Sequence, residues 1–267
     1  MLKDMTLGQF FPGKSPVHRL DPRTKLILVV VYIVALFMAK WFCSYGLMLA
    51  ALFAIIGVSG VKMKTIFKSM KPLLFIIALT GILNLFYTEG DPVVEFWIVT
   101  ITRQGLEKAV FMILRISMLV MGTFMLTYTT SPIALTDGLE ALLRPLNKIR
   151  IPVHELSMMM CIALRFIPTL TQETDKIISA QKARGADFES GNLVRRAKAL
   201  VPILVPLFVS SFRRADELAT AMESRCYHGG EGRTKMNQLH YTKLDFVAAL
   251  FGAAVLAGII VLRIFGL

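Results

Sequence analysis

Arg184 and Arg225 each close a stretch that can be laid on the other at an offset of 41 residues. The first copy reads Asp175-Lys176-Ile177-Ile178-Ser179-Ala180-Gln181-Lys182-Ala183-Arg184-Gly185, the second Asp216-Glu217-Leu218-Ala219-Thr220-Ala221-Met222-Glu223-Ser224-Arg225-Cys226. Both share an Asp, an aliphatic residue, a hydroxyl-alanine pair, a small residue, the arginine and a further small residue. On a helix Ala180 and Arg184 are i,i+4 neighbours, as are Ala221 and Arg225, so each guanidinium projects from a face with little bulk beside it. Arginine binds a carboxylate through a planar fork, stacks on aromatic rings and keeps its charge. An end of this kind is shaped to enter a partner's groove, and two copies imply two similar receptor surfaces. Each arginine alone has a plainer role, since a cation in the last helical turn complements the macrodipole and bonds the terminal carbonyls. The repeated context favours docking. The candidate docking residues are Ala183, Arg184 and Gly185 in the first motif and Ser224, Arg225 and Cys226 in the second. The second has Ser and Cys where the first has Ala and Gly; all are small, so the departure is expected to leave the role intact.

Catalytic patterns are wanting. The chain has no G-x-x-x-x-G-K-[ST] phosphate loop, and His154-Glu155 lacks the second histidine of H-E-x-x-H. Acidic residues are scattered singly between basic ones, unlike the paired clusters of magnesium-dependent membrane prenyltransferases. Cys43, Cys161 and Cys226 are far apart with no C-x-x-C pair, so neither a disulfide framework nor a zinc site is expected. A stand-alone secondary transporter would call for inverted repeats of spans around a midplane polar site, whereas this repeat is short and lies in a polar region. The chain is therefore read as a non-enzyme with no directly bound cofactor or metal.

The elements that must carry the two arginines follow from hydropathy. Hydrophobic residues make up 55% of the 267 and charged residues 18%, a balance suited to lipid. The formal charge of +12 belongs first to a cytoplasmic membrane face; nucleic-acid binding is not expected, because the basic residues flank apolar spans and are interleaved with acids. About 25 residues precede the first apolar run and carry charge, unlike a secretory signal peptide, so no cleavage is expected. The apolar stretch from Leu26 to Ser59 would run about 50 Å as one helix, too long for a core of about 30 Å. It divides into spans at 25–39 and 43–60, with Trp41 and Tyr45 at the interface. A basic loop, 61–72, carries Lys62, Lys64, Lys68 and Lys71; a third span at 73–87 leads to an acidic loop with Glu89, Asp91 and Glu95; a fourth covers 106–128. Lysines inside and acids outside put the N-terminus in the cytoplasm. From Thr130 to Lys243 charges recur with an amphipathic period, giving helices at 132–147, 153–184 and 193–225, separated at Ile151-Pro152 and at 185–191. A fifth span at 244–262, with Arg263 placed to snorkel, leaves the C-terminus outside. The expected fold is an all-α polytopic membrane protein with about five transmembrane helices. About three amphipathic coupling helices form a cytoplasmic domain between the fourth and fifth spans. The divisions are 1–129, 130–243 and 244–267.

With these residues placed, Ala183-Arg184-Gly185 and Ser224-Arg225-Cys226 resemble the paired Ala-Arg-Gly-type motifs of the transmembrane coupling subunit (T component) of energy-coupling factor (ECF) transporters, the family that includes cobalt-transport permease subunits. Other landmarks agree: His18-Arg19-Leu20-Asp21-Pro22-Arg23-Thr24-Lys25, Thr130-Ser131-Pro132 and Leu164-Arg165-Phe166-Ile167-Pro168. The resemblance covers essentially the whole chain. It implies a multi-pass protein of a prokaryotic plasma membrane with two ABC ATPase partners, identical or similar, each receiving one arginine end. It also implies a small substrate-binding membrane protein (S component), one of several interchangeable ones if the subunit is shared, held on an apolar upper surface. ATP would be used by the ATPases and not bound here. A vitamin importer is the preferred system, with a dedicated cobalt or nickel permease as the alternative.

Three further features have two readings each. The 15 methionines include Met158-Met159-Met160, a plastic surface for several partners or core filling, and a stripe of Met118, Met121 and Met125 read as core. Pro168, Pro202 and Pro206 lie inside helical patterns, as bends or as hinges. Arg115 falls within the fourth span, where an ionisable group turns to a polar partner; a structural partner is expected.

Overall fold

The computed structural model describes residues 10–88, 91–96, 99–186, 188, 192–229 and 238–265, with only the backbone described for 92–96, 99–101, 193 and 195–197. Nine α-helices are present among them: α1 (Pro16–Arg19), α2 (Pro22–Met38), α3 (Phe42–Ser59), α4 (Met63–Tyr87), α5 (Arg103–Thr129), α6 (Pro132–Leu143), α7 (Val153–Ala183), α8 (Leu193–Glu223) and α9 (Lys243–Phe265). A 3-10 helix, Arg144–Ile149, follows α6. The protein is helical throughout apart from one small ribbon, β1 (Pro92–Phe96) and β2 (Val99–Thr102), paired antiparallel between α4 and α5. The expected acidic loop is this ribbon; Glu89 lies outside the described residues, and so does part of the 185–191 gap.

Helix boundaries follow local chemistry. Asp21 caps α2, accepting from the Arg23 N–H, and Pro22 sits at the first helical position, where its missing donor costs nothing. α3 ends at Gly60 in the left-handed conformation. The basic segment read as a loop is helical from Met63 onward: it holds no glycine, its Met and Lys residues are good helix formers, and Pro72 removes one backbone bond without ending α4.

Five helices are long and apolar enough to cross a membrane: α3, α4, α5, α7 and α9. The number agrees with the sequence expectation, but the membership differs at one place, since α2 is only 17 residues long and α7 qualifies. α7 nevertheless carries Arg165, Glu173, Asp175, Lys176 and Lys182. It also packs on the strongly charged α8, company that is costly in a lipid core.

Two compact units emerge from the packing. One comprises residues 7–142 and 239–267; the other is formed chiefly by 143–238. In the first, α4 packs on α5, and α2 on α5 and α9. Its centre holds Leu36, Met48, Leu52, Ile66, Met118, Tyr128 and Ile259. Between helices in lipid, van der Waals fit replaces the drive to leave water, so small residues mark close approaches. Gly122 on α5 lies so near the Tyr32 ring of α2 that a Cβ would collide with it, and the Tyr32 hydroxyl donates to Met118 O at 2.9 Å. The buried Met118 and Met125 fill this core as expected. Arg115 finds structural partners, donating to Tyr45 Oη at 2.9 Å and to Ala39 O at 3.1 Å, with its guanidinium over the Phe37 and Tyr45 rings.

α6 belongs by packing to this first unit, although it lies within the 130–243 coupling segment. Its Gly138 sits against Pro22, where a Cβ would come within 2.9 Å of the proline side chain.

Candidate docking site on the paired helices

α7 and α8 are each 31 residues long and lie antiparallel. The direction follows from three contacts. Gln181 Nε2 donates to Pro202 O at 3.4 Å, Glu173 meets Ser210 and Arg214, and Ile162 and Phe166 share a cleft with Leu218 and Met222. Advancing along α7 therefore means retreating along α8. Pro168, Pro202 and Pro206 are accommodated inside continuous helices.

Besides the Gln181 contact, Glu173 gathers polar contacts from α8. Arg214 Nη2 donates to Glu173 Oε2 at 2.8 Å and the Ser210 hydroxyl donates to Glu173 Oε1. The Ser210 bond first, and then Arg214, hold the Glu173 carboxyl below its ordinary range. Glu173 and Arg214 are separated by 41 residues, the offset of the repeat. Equivalent positions of the two copies thus face each other, giving the pair a local twofold relation. Sequence reading overlooked this contact, although its signal was available: opposite charges at one repeat position are what an antiparallel repeat can pair.

Both arginines end their helices in the same way. After α7, Gly185 N–H donates to Lys182 O at 3.0 Å and Ala186 N–H to Gln181 O at 3.0 Å; after α8, Cys226 N–H donates to Glu223 O at 2.9 Å and Tyr227 N–H to Met222 O at 3.0 Å. These are Schellman turns, and both bonds of the first map onto the second at the repeat offset. Gly185 has φ +86° and Cys226 φ +56°, so both positions are left-handed. The small size of Cys226 was noted from the sequence, but not this backbone demand; its signal was the glycine at the equivalent position.

The structure places Ala183 at the last residue of α7 and Arg184 at its cap, with Gly185 next; Ser224, Arg225 and Cys226 form the turn after α8. All six are exposed, and Ala180 and Ala221 leave space beside the arginines. Among the described residues neither Arg184 nor Arg225 has an ion-pair partner. The six residues are not one cluster. Each arginine lies 11 residues beyond the Glu173–Arg214 contact, which at 1.5 Å per residue is roughly 16 Å, and the two run in opposite directions. Two cationic ends on one rigid pair can engage two separate acceptors at once.

An apolar stripe also runs along α8. Val201, Leu204, Val205, Phe208, Val209 and Phe212 recur at helical spacing and are exposed, as are Met159 and Met160 on α7.

Comparison with known proteins gives the family. The family profile described as Cobalt transport protein matches residues 13–236. A protein of Thermosediminibacter oceani named energy-coupling factor transporter transmembrane protein EcfT is 51% identical over 262 residues, covering 98% of this chain and 99% of that one. Proteins of the same name from Clostridium kluyveri and Bacillus subtilis are 54% identical over 252 residues (94% and 93% covered) and 46% identical over 246 residues (92% and 93% covered). Matches of this extent, joined to the helical architecture and the repeated arginine turns, show that the chain belongs to the cobalt transport protein family as a transmembrane component of energy-coupling factor transporters.

Proposed function

We propose that this chain is the non-catalytic scaffold of an ABC-type vitamin importer, coupling ATP hydrolysis in two ATPase subunits to movement of a small substrate-binding membrane protein. The observation that carries the reading is the presence of two equivalent arginine turns at opposite ends of one antiparallel helix pair. Two acceptor grooves related by a twofold axis, as in a dimer of identical or similar ATPases, match that arrangement. Each guanidinium would enter one groove and bind a carboxylate there. The ATP is bound and hydrolysed by the partners. The apolar stripe of α8 supports an interaction with the membrane partner, and exposed Met159 and Met160 favour a surface that accepts several such proteins. The spans are α2, α3, α4, α5 and α9, with the N-terminus cytoplasmic and the C-terminus outside.

A dedicated cobalt or nickel permease is the second reading, favoured by the description of the matching family. Mass spectrometry of what accompanies the detergent-solubilised protein separates the two. Several distinct small membrane proteins mark a shared vitamin subunit, and a single constant companion marks a dedicated one.

The docking role is tested by combining Arg184→Glu with Arg225→Glu. Recovery of the ATPases with the purified protein should fall by about tenfold or more, as expected for reversing two charge-assisted contacts, while insertion and recovery of the chain itself stay normal. Undiminished recovery of the ATPases overturns the assignment of these two residues.

A further inference from the structure

The chain leaves α5 at Thr129, runs through α6 and then the paired helices, and returns to the unit ahead of Thr242, the residue before α9. Both points are tied to the first turn of α2. Lys25 Nζ donates to Thr129 O at 2.8 Å and to His18 O at 3.2 Å. On the returning side, Asp245 Oδ2 accepts from the Thr242 N–H and from the Thr242 hydroxyl, each at 2.7 Å, and Asp245 Oδ1 accepts from the Asp21 N–H at 2.7 Å. Asp21 and Lys25 are joined through one turn of helix, Lys25 N–H donating to Asp21 O at 3.1 Å. The ammonium of Lys25 also lies in the field of both carboxylates.

Asp21, Lys25, Thr129 and Asp245 are all 6% exposed or less. Charged groups withdrawn this far from water are costly to separate, because removing one member leaves the others buried without a partner. This cluster is therefore among the stiffest polar connections in the unit. A second tie lies beside it: Phe11 N–H donates to Tyr128 O at 3.0 Å, with the two rings edge to face.

We propose that Asp21, Lys25, Thr242 and Asp245 form a clasp that fastens the departing and returning strands of the coupling segment to one helical turn. Lys25 and Asp245 are thereby positioning residues for energy coupling. A displacement of α7 and α8 that passes along the chain enters this unit through α6, which follows the end of α5, and through Thr242 at the start of α9. Where both are held to α2, α5 and α9, the displacement moves the helices; where either hangs loose, the slack absorbs it. The inference rests on the coupling reading above and adds the residues through which the motion passes.

The test uses the whole complex, with its ATPases and substrate-binding protein, reconstituted in proteoliposomes. The probe is a mixture of tritiated riboflavin, thiamine, folate and pantothenate, and uptake is divided by ATP hydrolysed. Lys25→Met should assemble normally and keep its ATP hydrolysis, while uptake per ATP falls about tenfold, a typical size for a coupling free energy. Lys25→Arg, which keeps a donor and the charge, should restore most of the ratio. If Lys25→Met fails to insert, Thr242→Val decides by the same ratio, since it removes one hydroxyl donor and no charge. A normal ratio in an assembled Lys25→Met or Thr242→Val complex overturns the clasp alone. Absence of ATPases from the unmodified preparation overturns the coupling reading and the clasp with it.

Discussion

Cys226 occupies a left-handed backbone position that its counterpart Gly185 fills without penalty. An L-residue there brings its Cβ too close to the following carbonyl, at a cost of about 1–2 kcal/mol. The Schellman bonds of Glu223 and Met222 hold it in place nonetheless. Cys226→Gly should therefore stabilise the end of α8 by about 1 kcal/mol, and Gly185→Ala should destabilise the end of α7 by a similar amount. Thermal unfolding of the two purified variants checks the pair. Shifts of the same sign would show that the two turns are not equivalent in solution. Arg115 illustrates the opposite economy: a cation at span depth is satisfied by a phenol, a helix-terminal carbonyl and two ring faces, with no carboxylate among its described contacts.

At the level of elements, the α7–α8 pair depends on apolar fit along its length and on polar contacts, chief among them those of Glu173. The Glu173 and Arg214 side chains are 23% and 36% exposed, so solvent screens part of the attraction, and their value lies as much in register as in energy. A double-mutant cycle with Glu173→Gln and Arg214→Gln should return a coupling of about 1 kcal/mol in thermal stability. Additive losses would mean that the contact does not hold the helices. Sliding one helix past the other by a turn would change the separation of Arg184 and Arg225 by about 5.4 Å. The Glu173 contacts therefore help to set how far apart the two arginines stand.

For the whole molecule, the reading of α2 rather than α7 as a span rests on charge. Only the α2 choice leaves both paired helices in the same surroundings, and with the proposed orientation it brings the chain back to the cytoplasm before α6. Cysteines placed at Lys64 and Lys68, in the basic first turns of α4, should be labelled from the cytoplasmic side, and one at Asp91 from the outside. On this reading α7 lies outside the bilayer, so Met159→Cys at its exposed position should react with a water-soluble maleimide. Protection of Met159→Cys together with external labelling at Lys64 would replace this topology with one in which α7 crosses.

Periodicity, charge and short-range chemistry were enough to locate most of the helices, because apolar spans and helix ends depend on neighbours within a few residues. The expected segments 153–184 and 193–225 differ from α7 and α8 by only one or two residues at their ends. The first turns of α4 were misread because lysines and a proline look like a loop until the helix beyond them is known. The two arginine motifs were likewise legible, as a repeat is a property of the chain itself. Antiparallel pairing was not, because it depends on which residues 21 to 60 positions apart come into contact. Without it, the opposite placement of Arg184 and Arg225 and the meeting of Glu173 with Arg214 had no geometry. The left-handed turn at Cys226 and the clasp linking Asp21 and Asp245, 224 residues apart, were decided only by the tertiary structure. Burial turns ordinary polar side chains into fixed connections, and burial at that range is a property of the folded molecule.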